Sequence, residues 1–364
     1  MTPLLWAFIG IGAIQVLYWI VFYTALIRDR KTGTALNVPV SVIVCAHDEE
    51  QNLRELLPLL LQQNHTTFEI IFVNDRSNDG TFDWLLTETK KHGNFKMVNV
   101  ANKPEHVNGK KFALTLGIKA AQYDWVLLTD ADCRPTSTEW IRQMAASFTE
   151  NNNVALGYSP YQSHPGFLNS FIRFETIITG IQYICFALLG KPYMGVGRNL
   201  AYRKSLFLDH KGFSQHLEIT GGDDDLFVNR VAEANKVAVV LQPSALTLSK
   251  PKTTWPEFWQ QKIRHLAVGK FYSAKSKIML APFTLSWSLV WPVAVVAAFS
   301  HYYYVGPVLL VRWLVQGLCV LRFRRETAEP IDWWQLPFLD FIFGFYYLVA
   351  GFKALLTKRV KWKT

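Results

Sequence analysis

The stretch VSVIVCAHDEE, residues 40–50, decides the fold class of this chain. A run rich in β-branched residues ends directly in polar and acidic side chains, which is typical of a buried strand with ligand-binding groups at its carboxyl end. The pattern returns in EIIFVND at 69–75 and in WVLLTDAD at 125–132, and helix-like patterns such as 49–62 lie between the runs. This alternation predicts an α/β fold with a mostly parallel sheet that is flanked by helices.

The composition indicates that part of the chain lies outside water. Only 18% of the 364 residues are charged, against about 25% in ordinary globular chains, and the formal net charge is +10. The aromatic content of 14% argues against disorder, because aromatic side chains supply much apolar surface to bury. The four cysteines show no ligand-like spacing, so neither a disulfide framework nor a zinc site is predicted.

Four apolar runs are long enough to enter a membrane, where about 20 apolar residues in a helix cross the hydrocarbon core. They are residues 4–27, 280–299, 302–321 and 336–356. We therefore expect an N-terminal transmembrane anchor over residues 1–30 and a C-terminal membrane region over residues 280–357. A cleaved signal peptide explains the first run less well, because the basic residues follow that run instead of preceding it.

Basic residues flank these runs at 28–31, 270–277 and 322–325. Because such residues favour the cytoplasmic side, we expect the domain between the membrane regions to face the cytoplasm. Four complete spans would place the basic residues at 358–363 on the opposite side. Asp340 and Pro337 inside the last run favour a re-entrant or interfacial segment there instead.

Residues 36–275 are expected to form one cytoplasmic domain, with residues 32–37 as the linker to the anchor. Within it, residues 166–192 suit either a helix in the membrane interface or a buried amphipathic helix of the domain. Nucleic acid is not an expected partner, because the basic residues cluster at the membrane edges instead of forming one stripe.

Polar clusters follow the first two predicted strands. The first cluster contains Asp48 and Glu49, and the second contains Asp75 and Asp79. Since ligands bind at the carboxyl ends of parallel strands, these carboxylates are suited to hold a nucleotide base and ribose. Helix capping is the alternative for Asp48 and Asp79, because both precede helix-like segments.

The strand at 125–128 ends in Asp130 and Asp132, two carboxylates separated by one residue. Together they are suited to coordinate one hard divalent cation, which would neutralise a diphosphate. Lys110 and Lys111 open a helix-like segment, where a cation and free helix N–H groups favour contact with a phosphate or a sugar. For Lys111 we expect a solvated side chain.

Two further clusters have candidate roles. Asp223, Asp224 and Asp225 are consecutive, and crowding of like charges raises the pKa of at least one of them, as a proton acceptor requires. The alternative is that they only stabilise a helix N-terminus. Gln261, Arg264 and His265 share one face of a predicted helix, where they are suited to hold a diphosphate. A basic helix that binds anionic lipid headgroups is the alternative for this segment.

Taken in order, these segments resemble the motif series of the family 2 glycosyltransferases, which are membrane-bound inverting enzymes with the GT-A fold. The series spans residues 38–266 and reads VSVIVCAHDEE, FVNDRSNDGT, NGKKFAL, LLTDADC, GGDDDL and QKIRH. The resemblance implies a UDP-sugar as the expected donor, Mg²⁺ or Mn²⁺ as the cofactor, and a bacterial inner membrane as the location.

The resemblance also implies the roles of individual residues. Uridine would be held by Asp48, Glu49 and Asp75, and the phosphate or sugar region by Lys110. Asp130 and Asp132 would serve the ribose and the metal, and Asp223 would be the catalytic base, with Asp224 as the neighbouring candidate. Gln261, Arg264 and His265 would form the family's Q-x-x-R-W element.

The chain departs from the family pattern at three positions. Gly222 stands where the family has Glu, Asn74 where it has Asp, and His265 where it has Trp. The last change is associated with a branch similar to the ceramide glucosyltransferases, which predicts a lipid or lipid-linked acceptor. A processive polysaccharide synthase and a non-enzymatic membrane scaffold or transporter are the competing functions. Transport would need charged residues within the spans, where Arg312 and Asp340 are the candidates.

Overall fold

The structure is a computed structural model that describes residues 2–28, 38–234, 236–330 and 333–357. The predicted linker at 32–37, Arg30 and Lys31 before it, and the basic residues between 358 and 363 lie outside the described residues. The helices and strands, in chain order, are α1 Pro3–Ile27, β1 Val40–Ala46, α2 Glu50–Leu61, β2 Phe68–Asp75, α3 Thr81–Thr89, β3 Phe95–Val100, α4 Gly109–Ala120, β4 Trp125–Asp130, β5 Cys133–Pro135, α5 Trp140–Ala145, β6 Val154–Gly157, α6 Phe167–Leu188, β7 Leu200–Arg203, α7 Lys204–Asp209, α8 Asp225–Val231, β8 Val237–Val240, β9 Thr247–Ser249, α9 Trp255–Val268, α10 Ala274–Thr327 and α11 Leu336–Leu356.

The main sheet has the strand order β3-β2-β1-β4-β7-β6-β8. β1 pairs in parallel with β2 and with β4, while β7 is antiparallel to both of its neighbours. β1, β2 and β4 are nearly continuous apolar runs because helices cover them on both faces, whereas the edge strand β3 is only partly buried. The predicted α/β fold with a mostly parallel sheet is confirmed.

The described residues divide into two compact units. The sheet unit contains residues 38–162 and 189–251, and the helical unit contains residues 2–28, 163–188 and 252–357, in each case as far as they are described. The sequence assigned residues 36–275 to a single domain. In the structure, α6 and α9 instead group with the apolar helices, since their aromatic faces pack against α11 through pairs such as Phe171–Tyr346 and Trp259–Tyr346.

Four helices of the described residues are long and apolar enough to cross a membrane, namely α1, α6, α10 and α11. The backbone of α10 leaves the helical conformation at His301, with φ −137° and ψ 32°. Trp291 and Trp313 lie on either side of this break, yet their ring centroids are only 5.5 Å apart. A straight helix would separate them by about 33 Å at 1.5 Å per residue, so α10 folds back as a hairpin. The two predicted runs on either side of residues 300–301 are therefore confirmed as separate helices.

The two charged residues predicted inside the apolar runs form an ion pair within the helical unit. Arg312 and Asp340 are both 0% exposed, with Arg312 Nη1 2.6 Å from Asp340 Oδ2 and Arg312 Nη2 2.9 Å from Asp340 Oδ1. Trp291, Trp313 and Gln316 also donate to the Asp340 carboxylate. The pair therefore joins both halves of α10 to α11.

α11 does not follow the hairpin along its full length. Near its beginning, Asp340 meets Trp291 and Arg312, which lie close to the middle of each half of α10. At its end, Lys270 Nζ donates to the carbonyl oxygen of Thr357 at 2.6 Å. The end of α11 thus lies beside the basic segment that precedes α10, and the re-entrant or interfacial placement of the last apolar run stays a prediction.

The segment predicted as an interfacial or buried amphipathic helix is α6. It is mostly buried and groups with the helical unit. Glu175 of α6 and Lys262 of α9 form a buried ion pair, which fixes these two helices to each other.

Candidate active site

The polar clusters predicted at strand ends meet along one edge of the sheet. In the parallel register Cys45 lies opposite Asp130, and Ala46 lies opposite Asn74. The carboxyl ends of β1, β2 and β4 therefore lie side by side at one edge of the sheet. Residues at these ends or just after them surround one region of the sheet unit; they include Asp48, Asp75 and Asp132.

Asp48 connects the loops that follow β1 and β2. Its backbone has a left-handed φ of 55°, and its Oδ1 accepts N–H groups from Asn78 at 2.6 Å and Asp79 at 3.3 Å. Its own N–H donates to Ser77 Oγ at 3.1 Å. The side chain is 42% exposed. One carboxylate oxygen of Asp48 thus holds the loop that follows β2, while the side chain as a whole stays partly exposed at the predicted uridine site.

Asp79 performs the helix capping that the sequence proposed as an alternative. Its Oδ1 accepts the N–H of Thr81 at 3.0 Å, and its Oδ2 accepts the N–H of Glu50 at 3.3 Å. These are the first residues of α3 and α2. Burial opposes ionisation of Asp79, but these hydrogen bonds outweigh it and lower its pKa. Glu49 lies beside this cap, where its Oε2 accepts from Asn52 Nδ2 at 2.5 Å.

Asp75 is buried at the end of β2, where its Oδ1 accepts from Arg76 Nε at 2.8 Å. Arg76 has a left-handed φ of 56° and turns back toward the beginning of α4. A Cβ at Gly109 would lie 2.4 Å from Arg76 Nη2 and 2.9 Å from Asp75 Oδ2. A larger residue at position 109 would therefore displace the side chain of Arg76 or Asp75.

Lys110 joins the two main groups of predicted site residues. Its Nζ is 3.1 Å from Asp130 Oδ1 and 3.0 Å from Asp223 Oδ2. Burial disfavours the ammonium, but Asp130 and Asp223 outweigh that cost and raise the pKa of Lys110 well above its usual value. One permanently charged group therefore bridges the acidic end of β4 and the acidic cluster at α8.

The three consecutive aspartates have different surroundings. Burial favours the neutral form of Asp223, but Lys110 outweighs this effect and lowers the pKa of the carboxyl. Asp224 is the N-cap of α8, where its Oδ1 accepts the N–H of Asp225 and its Oδ2 accepts the N–H of Gly197, both at 2.8 Å. Burial and the neighbouring Asp223 raise the pKa of Asp224. The capping alternative thus describes Asp224. Crowding raises the pKa of Asp224, as predicted for at least one of the three, but not that of Asp223, which Lys110 keeps ionised and able to accept a proton.

Asp132 has the surroundings of a cation ligand. Burial raises its pKa, and the neighbouring Asp130 and Glu49 raise it further. Crowded carboxylates of this kind are stabilised by a divalent cation, so the residues fit Mg²⁺ or Mn²⁺. Among the described residues no group of three or more His, Cys, Asp or Glu side chains could hold a metal ion. A cation at Asp132 and Asp130 would therefore take its remaining ligands from a diphosphate and water.

Lys111 differs from its prediction. It is 0% exposed, and its Nζ donates to the carbonyl oxygens of His216 at 2.6 Å and Ile219 at 2.9 Å. Burial lowers the pKa of Lys111 to about 8. The prediction of a solvated side chain is wrong, because a loop about a hundred residues further along the chain closes over this lysine.

Arg198 is a site residue that the sequence reasoning missed. Its guanidinium lies over the Tyr161 ring, 4.4 Å from the centroid, and its charge acts on Asp130 and Asp132. Gly197 and Asn199 on either side are fixed by hydrogen bonds to Asp224 and to Trp140. The signal was an arginine in the glycine-rich segment GVGRNL at 195–200, which lacks the spacing of a dinucleotide motif.

Gln261, Arg264 and His265 lie on α9 in the helical unit, so the predicted helix is confirmed. Gln261 and Arg264 are half-buried, and His265 is exposed. The neighbouring Lys262 and Ile263 are buried and face the interior of that unit. The three predicted residues therefore lie on the opposite, accessible side of α9.

The sequence model of the family "Glycosyl transferase family 2" matches residues 41–210. This range contains β1, except for its first residue, and the strands up to β7, and therefore the predicted donor and metal residues from Asp48 to Asp132. The fold, the acidic strand ends and this match together define the class. Residues 41–210 belong to glycosyltransferase family 2, and the protein is a glycosyltransferase.

Two relatives agree with this class. The poly-β-1,6-N-acetyl-D-glucosamine synthase of Staphylococcus epidermidis is 25% identical over 344 residues, which cover 90% of this chain and 78% of that protein. A probable glycosyltransferase of Bacillus subtilis, YdaM, is 27% identical over 243 residues, with 62% of this chain and 54% of that protein covered.

Among solved structures, the mannosyltransferase PcManGT from Pyrobaculum calidifontis, in complex with GDP-Man and Mn²⁺, has a TM-score of 0.63 at 16% identity. The similarity covers 98% of this chain and 99% of that one. At this identity it establishes the shared fold, which confirms the predicted GT-A architecture with apolar helices at both ends.

Proposed function

We propose that this protein is an inverting glycosyltransferase that moves a sugar from a nucleotide diphosphate donor, a UDP-sugar, to a hydroxyl group of a membrane lipid or lipid-linked acceptor. The observation that carries the proposal is the position of Lys110 between Asp130 and Asp223. Asp130, a candidate donor-binding residue, and Asp223, the candidate base, therefore lie on two sides of the Lys110 ammonium. A sugar bound beside Lys110 would lie within reach of both carboxylates.

In this proposal Asp223 is the base. Its carboxylate takes the proton of the acceptor hydroxyl while the hydroxyl oxygen attacks the anomeric carbon of the sugar. The bond from that carbon to the diphosphate breaks in the same step, and the configuration inverts. The proton ends on Asp223 and the electron pair on the leaving nucleotide diphosphate. Lys110 lies within reach of this negative charge.

Mg²⁺ or Mn²⁺ held by Asp132, with Asp130 assisting, would stabilise the charge of the departing diphosphate. Asp48, Glu49 and Asp75 would hold the uridine through their carboxylates. Gln261, Arg264 and His265 of α9 would contact the diphosphate, as the resemblance of this segment to the family's Q-x-x-R-W element implies. Arg198 adds a further cation beside Asp132.

The proposed location is the bacterial inner membrane, with the catalytic domain in the cytoplasm, where nucleotide sugars are made. The candidate membrane helices support membrane association. A transporter receives little support, because Arg312 and Asp340 satisfy each other's charge.

A processive polysaccharide synthase is the second candidate. It is favoured by the relative that covers most of both chains, which is a polymer synthase by name. The two candidates share the chemistry at Asp223 and differ only in the acceptor.

The two functions can be separated by incubating membranes that contain the protein with a panel of radiolabelled nucleotide sugars, including UDP-N-acetylglucosamine. Membranes that contain the Asp223→Asn variant serve as the matched control. Our proposal predicts label that extracts into organic solvent with lipid. Label that stays as water-soluble or insoluble polymer would favour the synthase, and no incorporation from any donor would contradict both.

A further inference from the structure

The beginning of α4 holds the loop that leads to the proposed base. Lys111 Nζ donates to the carbonyl oxygens of His216 at 2.6 Å and Ile219 at 2.9 Å. The carbonyl oxygen of Leu217, between them, accepts the N–H of Asn108 at 2.9 Å. Three carbonyl groups of residues 216–219 are thus bound by residues 108–111. We call residues 213–222 the base loop.

The base loop continues directly into Asp223. Gly221 and Gly222 have left-handed φ values of 86° and 76°, which other residues rarely adopt. At the other end of the loop, the Phe213 ring packs against Phe207 and Phe227 with centroids 5.0 Å and 5.9 Å apart. The aromatic cluster therefore fixes the first residue of the loop, and Lys111 fixes its centre.

Two lysines that are adjacent in sequence thus hold Asp223 and the loop that precedes it. Lys110 contacts the Asp223 carboxylate, and Lys111 binds the backbone that carries that residue. The Lys111 side chain is fully buried. Removing its amine would leave the Ile219 carbonyl without this donor and the His216 carbonyl with the N–H of Ile219, at 3.2 Å, in place of two donors. The loop would then shift or open to hydrate them.

We propose that Lys111 is a positioning residue, which fixes Asp223 for proton transfer through the base loop and does not itself touch the donor. This inference rests on the proposed function, in which Asp223 is the base. Loss of Lys111 should slow the chemical step and leave donor affinity nearly unchanged. A shift of about 1 Å at a reacting group can lower turnover about 10²-fold.

Lys204 provides the matched control. Its Nζ also donates to two backbone carbonyl groups, those of Lys119 at 3.1 Å and Ala121 at 2.5 Å, but at the opposite end of α4. Lys111→Met and Lys204→Met each remove one amine that binds two carbonyls of the chain. A general loss of stability would affect both variants, whereas a positioning role belongs to Lys111 alone.

The test uses the full-length protein in membranes or detergent. Turnover is measured with the UDP-sugar that reacts fastest in the panel, and affinity is measured with UDP. For Lys111→Met we expect kcat to fall about 10- to 100-fold and the Kd for UDP to change less than about threefold. For Lys204→Met we expect kcat close to that of the wild type.

A second readout does not depend on activity. Glu218 is exposed in the centre of the base loop, so a glutamyl endopeptidase reports whether the loop opens. We expect faster cleavage after Glu218 in Lys111→Met, and wild-type cleavage in Lys204→Met. If Lys111→Met fails to fold, Lys111→Gln, which retains an N–H donor on a shorter side chain, is tested with the same readouts. For this variant we expect changes in the same direction but smaller, with kcat lowered about 3- to 10-fold and the Kd for UDP changed less than about threefold.

Wild-type kcat in Lys111→Met, while Asp223→Asn is inactive, would overturn the positioning role and leave the proposed function intact. An equal fall in kcat for Lys204→Met would also overturn it. Normal turnover of Asp223→Asn would instead overturn the proposed base. If the wild-type protein does not bind UDP, the proposed donor is wrong, and unchanged protease cleavage of Lys111→Met would then overturn the role of Lys111.

Discussion

The ion pair between Arg312 and Asp340 gives the sharpest test of the helical unit. We consider Asp340→Leu, Arg312→Met and the double variant. The Asp340 carboxylate is 0% exposed and accepts N–H groups from Arg312, Trp291, Trp313 and Gln316. Asp340→Leu therefore leaves a buried cation, and Arg312→Met leaves a buried carboxylate.

Removal of Asp340 leaves the Arg312 guanidinium buried without its counter-ion. Breaking a buried ion pair in this way costs about 3–5 kcal/mol of unfolding free energy. Arg312→Met leaves a carboxylate that still has three N–H donors and can be protonated, so we expect a smaller loss, of about 1–3 kcal/mol. In the double variant both charges are gone. Its loss should be smaller than the sum of the single losses by about 2 kcal/mol.

Unfolding of the detergent-solubilised protein, followed by tryptophan fluorescence in denaturant, measures these differences. Leu314→Met is the control, because Leu314 is 59% exposed on α10 and should contribute little to the packing. Additive losses in the double variant would refute the reasoning. So would a loss below about 0.5 kcal/mol for Asp340→Leu, the range expected of ordinary surface substitutions.

Three further predictions concern the site and the topology. Turnover should stop in EDTA and return with Mn²⁺ or Mg²⁺, because an uncompensated diphosphate binds poorly beside carboxylates; full activity of Asp132→Ala would contradict this. Residues 36–275 should resist protease added to sealed, cytoplasm-inside vesicles, because the basic flanks place them on the cytoplasmic side. Cleavage of these residues without detergent would show that they face the other side of the membrane. Asp224→Asn should lower the free energy of unfolding by about 1–3 kcal/mol, because its NH₂ group would replace an acceptor of the N–H of Gly197 or Asp225 with a second donor. A wild-type denaturation midpoint would show that this cap is dispensable.

The parallel half of the sheet could be predicted because its information is local. β1, β2 and β4 are largely apolar runs with carboxylates at or just after their carboxyl ends, and burial on both faces requires such runs. β6, β7 and β8 were missed because each has only four residues. A strand so short carries little periodicity, and pairing partners distant in sequence fix its position.

The residues of the candidate site also fall into those that their own segment predicts and those that depend on distant parts of the chain. Residues at strand ends, such as Asp130, follow from the pattern of their own segment. The burial of Lys111 could not be predicted, since it depends on carbonyl groups of residues 216 and 219. The pairing of Arg312 with Asp340 likewise depends on where α10 folds back and where α11 begins. Motif order along the chain contains neither kind of information.

The central claim is that Asp223 is the base of a glycosyl transfer, and one measurement tests it most directly. Asp223→Asn preserves the size of the side chain but accepts no proton, while its amide can still contact Lys110 through the oxygen. Turnover of the reactive UDP-sugar and the Kd for UDP are measured in this variant and in Asp225→Asn. The account predicts a fall in turnover of about 10²–10⁴-fold for Asp223→Asn with UDP affinity little changed, and a much smaller fall for Asp225→Asn. Near-normal turnover of Asp223→Asn would contradict the account.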